Sequence, residues 1–171
     1  MNPFDPELLA GIAQLGLGLA GFSGIGLVLT RTAGRLQKFE LYRLGIMLGT
    51  AVGAMFLALL PLVLAQFAWH GGALCVVSAA IMAVFAFAFA TYLWFAMRYF
   101  RRVVPEIVGP IASRAVIVGH AVNGVVQTLV ALGAFERCAG WYGLGLLWLL
   151  GHATYQFWRI LFIRPRDEGA A

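Results

Sequence analysis

The side chains whose types and spacing could do chemistry are five polar groups inside apolar runs in the second half of the chain. Three fall in one run and two in the next: His120, Asn123, Gln127, His152 and Gln156. Spacings of three and four residues put each set on one face of an α-helix. Polar groups inside a membrane-spanning helix are costly, so both faces are expected to meet protein or water rather than lipid.

A short turn joins the two runs, so they are expected to form antiparallel neighbouring helices. At a rise of about 1.5 Å per residue, Asn123 and His152 both lie roughly 16 Å below the outer boundary. On the same ruler His120 and Gln156 both lie roughly 21 Å deep. The two polar faces are therefore expected to form a ladder, with Gln127 at a depth similar to that of Gln14 in the first run.

Four interpretations of this polar seam stand side by side. In the simplest, the seam holds the helices together, at about 0.6 kcal/mol for each interhelical hydrogen bond. A path for protons or small solutes would use His120 and His152, because imidazole titrates near neutral pH. Against a path of the usual pump type, the predicted span interiors contain no Asp or Glu. The remaining interpretations are a haem held by the two imidazoles and a site for a quinone or a lipid.

The composition indicates a membrane protein. Of the 171 residues, 62% are hydrophobic and 11% are charged, whereas soluble domains have about 45–50% and about 25%. Several apolar runs exceed the roughly 20 residues that a spanning helix needs. We therefore predict an all-α bundle of five transmembrane helices in a single domain that covers residues 1–171. The predicted spans are residues 8–30, 44–67, 74–97, 115–135 and 141–163.

The cations predict the orientation of the spans. With the N-terminus outside and the C-terminus cytoplasmic, 11 of the 12 Lys and Arg residues fall on the inner side, and Arg137 alone falls outside. This asymmetry follows the positive-inside rule of multi-pass membrane proteins and supports five spans. The net charge of +5 is explained by these span ends, because no basic face for tracking phosphates is present. Nucleic acid is therefore not an expected partner.

The outer ends of the spans hold two further signals. Asp5 is expected to cap the first helix and Pro6 to open it. With acidic residues at this end, the first span does not resemble a cleaved signal peptide. Cys75 and Cys138 both lie near outer span ends. A disulfide between them is open, but two small buried thiols are the favoured interpretation.

Small residues recur every four positions in the first two spans. One series is Gly16, Ala20 and Gly24, and the other is Gly45, Gly49 and Gly53. Such series let helix backbones approach closely in a membrane. Each predicts a tight helix contact, whose partner is either in this chain or in another copy.

The segment Ala20-Gly21-Phe22-Ser23-Gly24 follows Gln14 in the first span. It resembles the start of a group of small, uncharacterised bacterial membrane proteins, in which an Ala-Gly-Phe-Ser-Gly-like segment follows an acidic residue. Gln14 stands at that acidic position here, so this chain departs from the pattern at its ionisable group. The resemblance covers one span, implies a bacterial inner-membrane origin and implies no activity.

The motifs of enzymes are missing: the sequence has no His-Glu-x-x-His, no Cys-x-x-Cys and no phosphate-binding loop. We therefore expect no enzyme, no cofactor and no metal. The expected function is association within the lipid bilayer, as a homo-oligomer or as a subunit with other membrane chains. The alternative is a small component of a transporter or channel that uses the seam between the fourth and fifth spans. A small-molecule ligand is not identified by the sequence.

Overall fold

The computed structural model describes residues 3–32, 38–67, 69–103 and 110–162, with side chains for 3–25, 41–67, 69–103 and 113–160. Within these residues the chain is all helical, without strands. The helices are α1 (Pro6–Thr32), α2 (Lys38–Gln66), α3 (Gly71–Val103), α4 (Pro110–Ala131) and α5 (Cys138–Phe162).

Four of the helices are long and apolar enough to cross a membrane. The qualifying segments are Pro6–Ile25, Leu41–Gln66, Gly71–Val103 and Ser113–Ala131. In the described residues α5 is not among them, since it carries His152, Gln156 and several aromatic side chains. The helical bundle predicted from the sequence is confirmed, and four of its five predicted spans have the apolarity to match.

The helix that is not among these four, α5, is the centre of the bundle. It contacts each of the other four, while α1 packs mainly along α2 and α3 along α4. Tyr142, Leu146 and Leu149 of α5 are fully buried, together with Leu74 and Met82 of α3. The polar side chains of α5 can therefore meet protein instead of lipid, which explains how this sequence suits a central helix.

Short-range hydrogen bonds fix the start of α1 and the end of α4. Pro6 opens α1, and the Asp5 carboxylate accepts hydrogen bonds from the backbone amides of Glu7 and Leu8 at 2.9 and 3.3 Å. The predicted cap is confirmed. At the end of α4, Gly133 adopts a φ of 78° and the amide of Ala134 donates to the Leu129 carbonyl at 2.9 Å.

That arrangement is a Schellman motif, in which a left-handed residue turns the chain back onto the last helical carbonyls. It ends α4 at Ala131, so the predicted end at residue 135 is wrong by about one turn. Other boundaries lie further out than predicted: α2 already begins at Lys38, and α3 begins at Gly71 and continues to Val103. The helices thus use residues that the sequence analysis gave to the turns.

Pro61 lies inside α2 without ending it. Proline has no amide hydrogen, so the carbonyl of Leu57, four residues earlier, loses its partner within the helix. The hydroxyl of Tyr142 donates to this carbonyl at 2.6 Å. A side chain of α5 therefore supplies the hydrogen bond that the proline removes from α2.

Cys75 and Cys138 form a disulfide between the first turns of α3 and α5, with their Cα atoms 6.3 Å apart. The favoured interpretation of two separate thiols is therefore wrong. The disulfide forms because α3 and α5 begin at the same end of the bundle and are neighbours. The spacing of the cysteines along the chain does not reveal this.

Candidate functional site

The innermost part of the seam is a pair of histidines joined directly to each other. Nε2 of His120, on α4, lies 2.9 Å from Nδ1 of His152, on α5. The other ring nitrogen of His152, Nε2, lies 3.0 Å from Nε2 of Gln156, one turn along α5. All three side chains are buried, with at most 4% of their surface exposed. We call these three residues the histidine cluster.

A second group of hydrogen bonds, the amide cluster of Asn123 and Gln127, lies nearer the disulfide end. Nε2 of Gln127 donates to the carbonyl of Trp141 at 2.9 Å and to Oδ1 of Asn123 at 3.4 Å. Nδ2 of Asn123 donates to the carbonyl of Gly145 at 3.5 Å. In the described part of the chain no hydrogen bond joins the amide cluster to the histidine cluster.

Glycine at position 145 lets α5 come this close to α4. A Cβ built there would lie 2.6 Å from Nε2 of Gln127 and 2.8 Å from Oδ1 of Asn123. Ordinary contacts of a Cβ begin at 3.4 Å, so any side chain would push the amides away. Gly145 was missed in the sequence analysis, where it is one of many glycines in an apolar run.

The polar side chains of α4 and α5 do meet, but their pairs are shifted by about one turn from the predicted pairs. His120 meets His152 rather than Gln156, and Asn123 meets the backbone of Gly145 rather than His152. The early end of α4 contributes to this shift, because a depth counted from residue 135 is about one turn too large for a helix that ends at Ala131. Counted from Ala131 and Cys138, Asn123 and Gly145 lie at similar depths of roughly 12 and 11 Å.

Three polar atoms of the two clusters have no hydrogen-bond partner in the described residues. They are Nδ1 of His120, Oε1 of Gln127 and Oε1 of Gln156. In folded proteins the large majority of buried polar atoms are paired, so each exception calls for a physical explanation. A seam that served only to hold helices together would be expected to satisfy all its members.

Aromatic side chains enclose the histidine pair. The ring of Phe89, on α3, lies 4.9 Å from the ring of His120 and 6.4 Å from that of His152, centroid to centroid. The indole of Trp148 lies 6.0 Å from His120 and occupies the space that a Cβ at Gly119 would need. The groups that flank the imidazoles are therefore uncharged and bulky.

The haem interpretation does not fit this geometry. Two axial imidazoles must place their nitrogens on opposite sides of the iron, each about 2 Å from the metal as in other histidine sites. The facing nitrogens of His120 and His152 are 2.9 Å apart and bonded to each other. In the described residues no group of three or more His, Cys, Asp or Glu side chains is positioned to hold a metal ion.

The glycine series of α2 receives aromatic rings rather than another helix backbone. A Cβ at Gly49 would lie 3.2 Å from the Phe89 ring, and one at Gly53 would collide with the Phe85 ring. Gly45 has no atom within 4 Å of such a Cβ. The series forms one wall of an open apolar groove between α2 and α3, with a volume of about 600 Å³.

Part of the small-residue series in α1 packs against another helix of this chain. A Cβ at Gly16 would lie 2.7 Å from the backbone oxygen of Ala51, so α1 and α2 touch closely there. Ala20 packs against the buried cluster that contains Ala51. Gly24 has no neighbour within 4 Å. Gly16 and Ala20 therefore pack against α2 within this chain.

The opposite face of α1 is exposed and contains a polar group. Gln14 is exposed and forms no hydrogen bond with the described residues, in contrast to the buried Asn and Gln side chains of α4 and α5. Gly11, Gly18 and Gly21 lie on the same face, because the spacings are three, four and three residues. No atom lies within 4 Å of a Cβ built at any of them. We call these four residues the α1 outer face.

No family model matches this chain, and no curated protein or solved structure matches it either.

Proposed function

We propose that this is a bacterial inner-membrane protein that crosses the bilayer five times, with its N-terminus outside and its C-terminus in the cytoplasm. Two signals support this orientation. Arg98, Arg101 and Arg102 gather near the end of α3, whereas the disulfide of Cys75 and Cys138 lies at its start. Disulfides persist in oxidising compartments such as the periplasm, and cations are enriched in cytoplasmic segments.

The position of the N-terminus agrees with this orientation. Phe4 is buried and its ring lies 5.3 Å from that of Tyr142, near the start of α5. The N-terminal residues therefore lie at the disulfide end of the bundle. Although α5 is not among the four candidate spans, its contacts with all four other helices keep His152 and Gln156 buried.

Within this membrane, we propose that the protein is not an enzyme and works by associating with other chains, first of all with copies of itself, through the α1 outer face. The observation that carries this proposal is the exposed amide of Gln14. It lies eight residues into α1, roughly 12 Å along the helix axis, where hydrocarbon offers no hydrogen bond. A second copy would supply an identical amide, and the glycines around it would let the two helices approach closely.

A cysteine cross-link tests this proposal. The native cysteines are both in the disulfide, so a single added cysteine reports only on contacts between copies. We expect Gly18→Cys to give a covalent dimer under mild oxidation in native membranes. The control is Val84→Cys on α3, at a site that is 70% exposed but lies on another helix. Equal yields from both variants, or none from Gly18→Cys, would contradict self-association through this face.

Replacing the amide tests its contribution. Hydrogen bonds of this kind between membrane helices contribute about 1–2 kcal/mol in model peptides. Gln14→Leu should therefore weaken the dimer by roughly 5- to 30-fold, as measured by native mass spectrometry across a range of detergent concentrations. Val84→Leu, which changes an exposed apolar side chain on α3, is the control. A wild-type protein that stays monomeric at all concentrations would count against the proposal.

A second candidate function is a component of a transporter or channel that uses the seam between α4 and α5. The unpartnered atoms of the seam favour it, because intramembrane polar groups left open in a protein interior commonly mark solute or proton pathways. Its test is flux into sealed proteoliposomes that contain the purified protein. Rates equal to those of empty liposomes for protons and for small ions and solutes would remove this candidate.

A further inference from the structure

We propose that the histidine cluster is a proton relay with two states, in which both imidazoles change tautomer together and Gln156 selects the state. The inference rests on the second candidate function and names the proton as what passes along the seam. Its basis is the unbroken series of contacts from His120 through His152 to Gln156, with one ring nitrogen left open at the start of the series.

The first state follows from the orientation of the Gln156 amide in the structure. The Nε2 atom of Gln156 is a donor, so the nearby Nε2 of His152 must accept and carries no proton. The proton of a neutral His152 is then on Nδ1, from which it is donated to Nε2 of His120. His120 in turn carries its own proton on Nδ1, the atom without a partner.

The second state follows from turning the amide of Gln156 by half a turn, which exchanges its oxygen and nitrogen. His152 then donates from Nε2 to the amide oxygen, and its Nδ1 becomes an acceptor. His120 donates to it from Nε2, so the Nδ1 atom of His120 is bare. In each state the two rings are the same tautomer, because opposite tautomers would place two protons or two lone pairs between them.

A proton that arrives on Nδ1 of His120 converts one state into the other. Water is the donor. As the new N–H bond forms on Nδ1, the Nε2 proton of His120 passes to Nδ1 of His152, and the Nε2 proton of His152 leaves to water on the Gln156 side. One proton enters, one leaves, and both rings end neutral with their protons on Nδ1. The turning of the Gln156 amide and of its hydrogen bond accompanies this change.

The path toward the disulfide end is marked by the amide cluster. Asn123 is one turn from His120 on α4, and the unpartnered Oε1 of Gln127 is one turn further. Both are uncharged groups that hydrogen-bond water and do not trap a proton. The rings of Phe89 and Trp148 pack against the imidazole of His120 and form apolar walls beside it. The relay therefore has a polar approach from one side and uncharged walls.

The tautomers are read directly by ¹⁵N NMR of histidine-labelled protein, because protonated and bare ring nitrogens of neutral imidazole resonate far apart. The chain has three histidines, and the third, His70, is exposed and serves as an internal reference. We expect His120 and His152 to share one tautomer. In Gln156→Leu the tautomer of His120 should change, although Gln156 bonds only to His152 within the cluster. Thr154→Val is the control, since its hydroxyl bonds back to Leu150.

Proton flux is the second measurement, followed with a pH-sensitive dye inside proteoliposomes under an imposed potential. Wild type should exceed empty liposomes, His152→Asn should fall to their level, and His70→Asn should match wild type. Opposite tautomers for the two rings, or a His120 signal that ignores Gln156→Leu, overturn the relay. Flux of another solute without protons also overturns it while leaving the transport function standing, and no flux of any kind removes both.

Discussion

A methyl group at Gly145 tests whether the close approach of α4 and α5 holds the bundle together. In Gly145→Ala the added Cβ would lie 2.5 Å from Sδ of Met82, 2.6 Å from Nε2 of Gln127 and 2.8 Å from Oδ1 of Asn123, well inside ordinary contact distance. The two amide atoms take part in the hydrogen bonds of the amide cluster. The amides must therefore move, and the two helices must separate or break these bonds.

The size of the effect follows from three contributions. Inserting a methyl group into a packed interior costs about 1–3 kcal/mol. Losing the bonds from Gln127 to Trp141 and from Asn123 to Gly145 costs about 0.6 kcal/mol each on average. The better helix propensity of alanine returns up to about 1 kcal/mol. We expect a net loss of about 1–4 kcal/mol in the free energy of unfolding.

Gly151→Ala is the matched control, because it lies on the same helix, is exposed and has no atom within 4 Å of the added Cβ. It should keep the wild-type stability or gain up to about 1 kcal/mol. Both free energies are measured by reversible unfolding in mixed detergent micelles, followed by circular dichroism. If Gly145→Ala proved as stable as Gly151→Ala, the close contact would not be a source of stability and the reasoning would be refuted.

Three further perturbations probe other contacts of the bundle. Tyr142→Phe should cost about 1 kcal/mol in the same unfolding assay, since it removes one buried hydrogen bond to the α2 carbonyl freed by proline; no change would mean that this carbonyl needs no partner. Reducing the disulfide of Cys75 and Cys138, which are 63 residues apart, should cost about 2–4 kcal/mol; equal midpoints with and without reductant would contradict this. Gly53→Leu, which collides with an α3 ring, should lower the thermal midpoint, whereas Gly45→Leu, which faces open space, should not.

Local signals in the sequence were sufficient where the structure depends on local contacts. Asp5 and Pro6 mark the start of α1 because a cap and a first-turn proline act within one helical turn. The apolar runs predict the helices because a helix is also formed by residues that are close together in the sequence. The polar seam was predicted from the spacing of side chains along α4 and α5, and the structure brings these side chains together.

Contacts that depend on an exact register were not accessible in this way. A single residue, Gly133, ends α4 a turn early by adopting a left-handed conformation, and in the resulting register His120 meets His152 rather than Gln156. The sequence contains many glycines, and which of them turns the chain is decided by the hydrogen bonds around it. The disulfide was likewise missed because it depends on α3 and α5 being neighbours.

The outward face of α1 illustrates the same limit. The series that contains Gly16 and Ala20 was recognised by its spacing of four, and it contacts α2. The face with Gln14 also has glycines at spacings of three and four. Among the described residues, no atom lies within 4 Å of a Cβ built at these glycines. Small residues line both sides of α1, so the sequence alone does not show which side faces the bundle.

The bond between Tyr142 and Leu57 has a consequence for how the chain is made. Nascent helices enter the membrane in order of synthesis, and Tyr142 is translated 85 residues after Leu57. Under the proposed topology, α2 would stay in the membrane until α5 arrives with a backbone carbonyl that its own helix cannot satisfy because of Pro61. The first two helices would then not be a finished hairpin on their own, and α5 would complete the hydrogen bonding of α2.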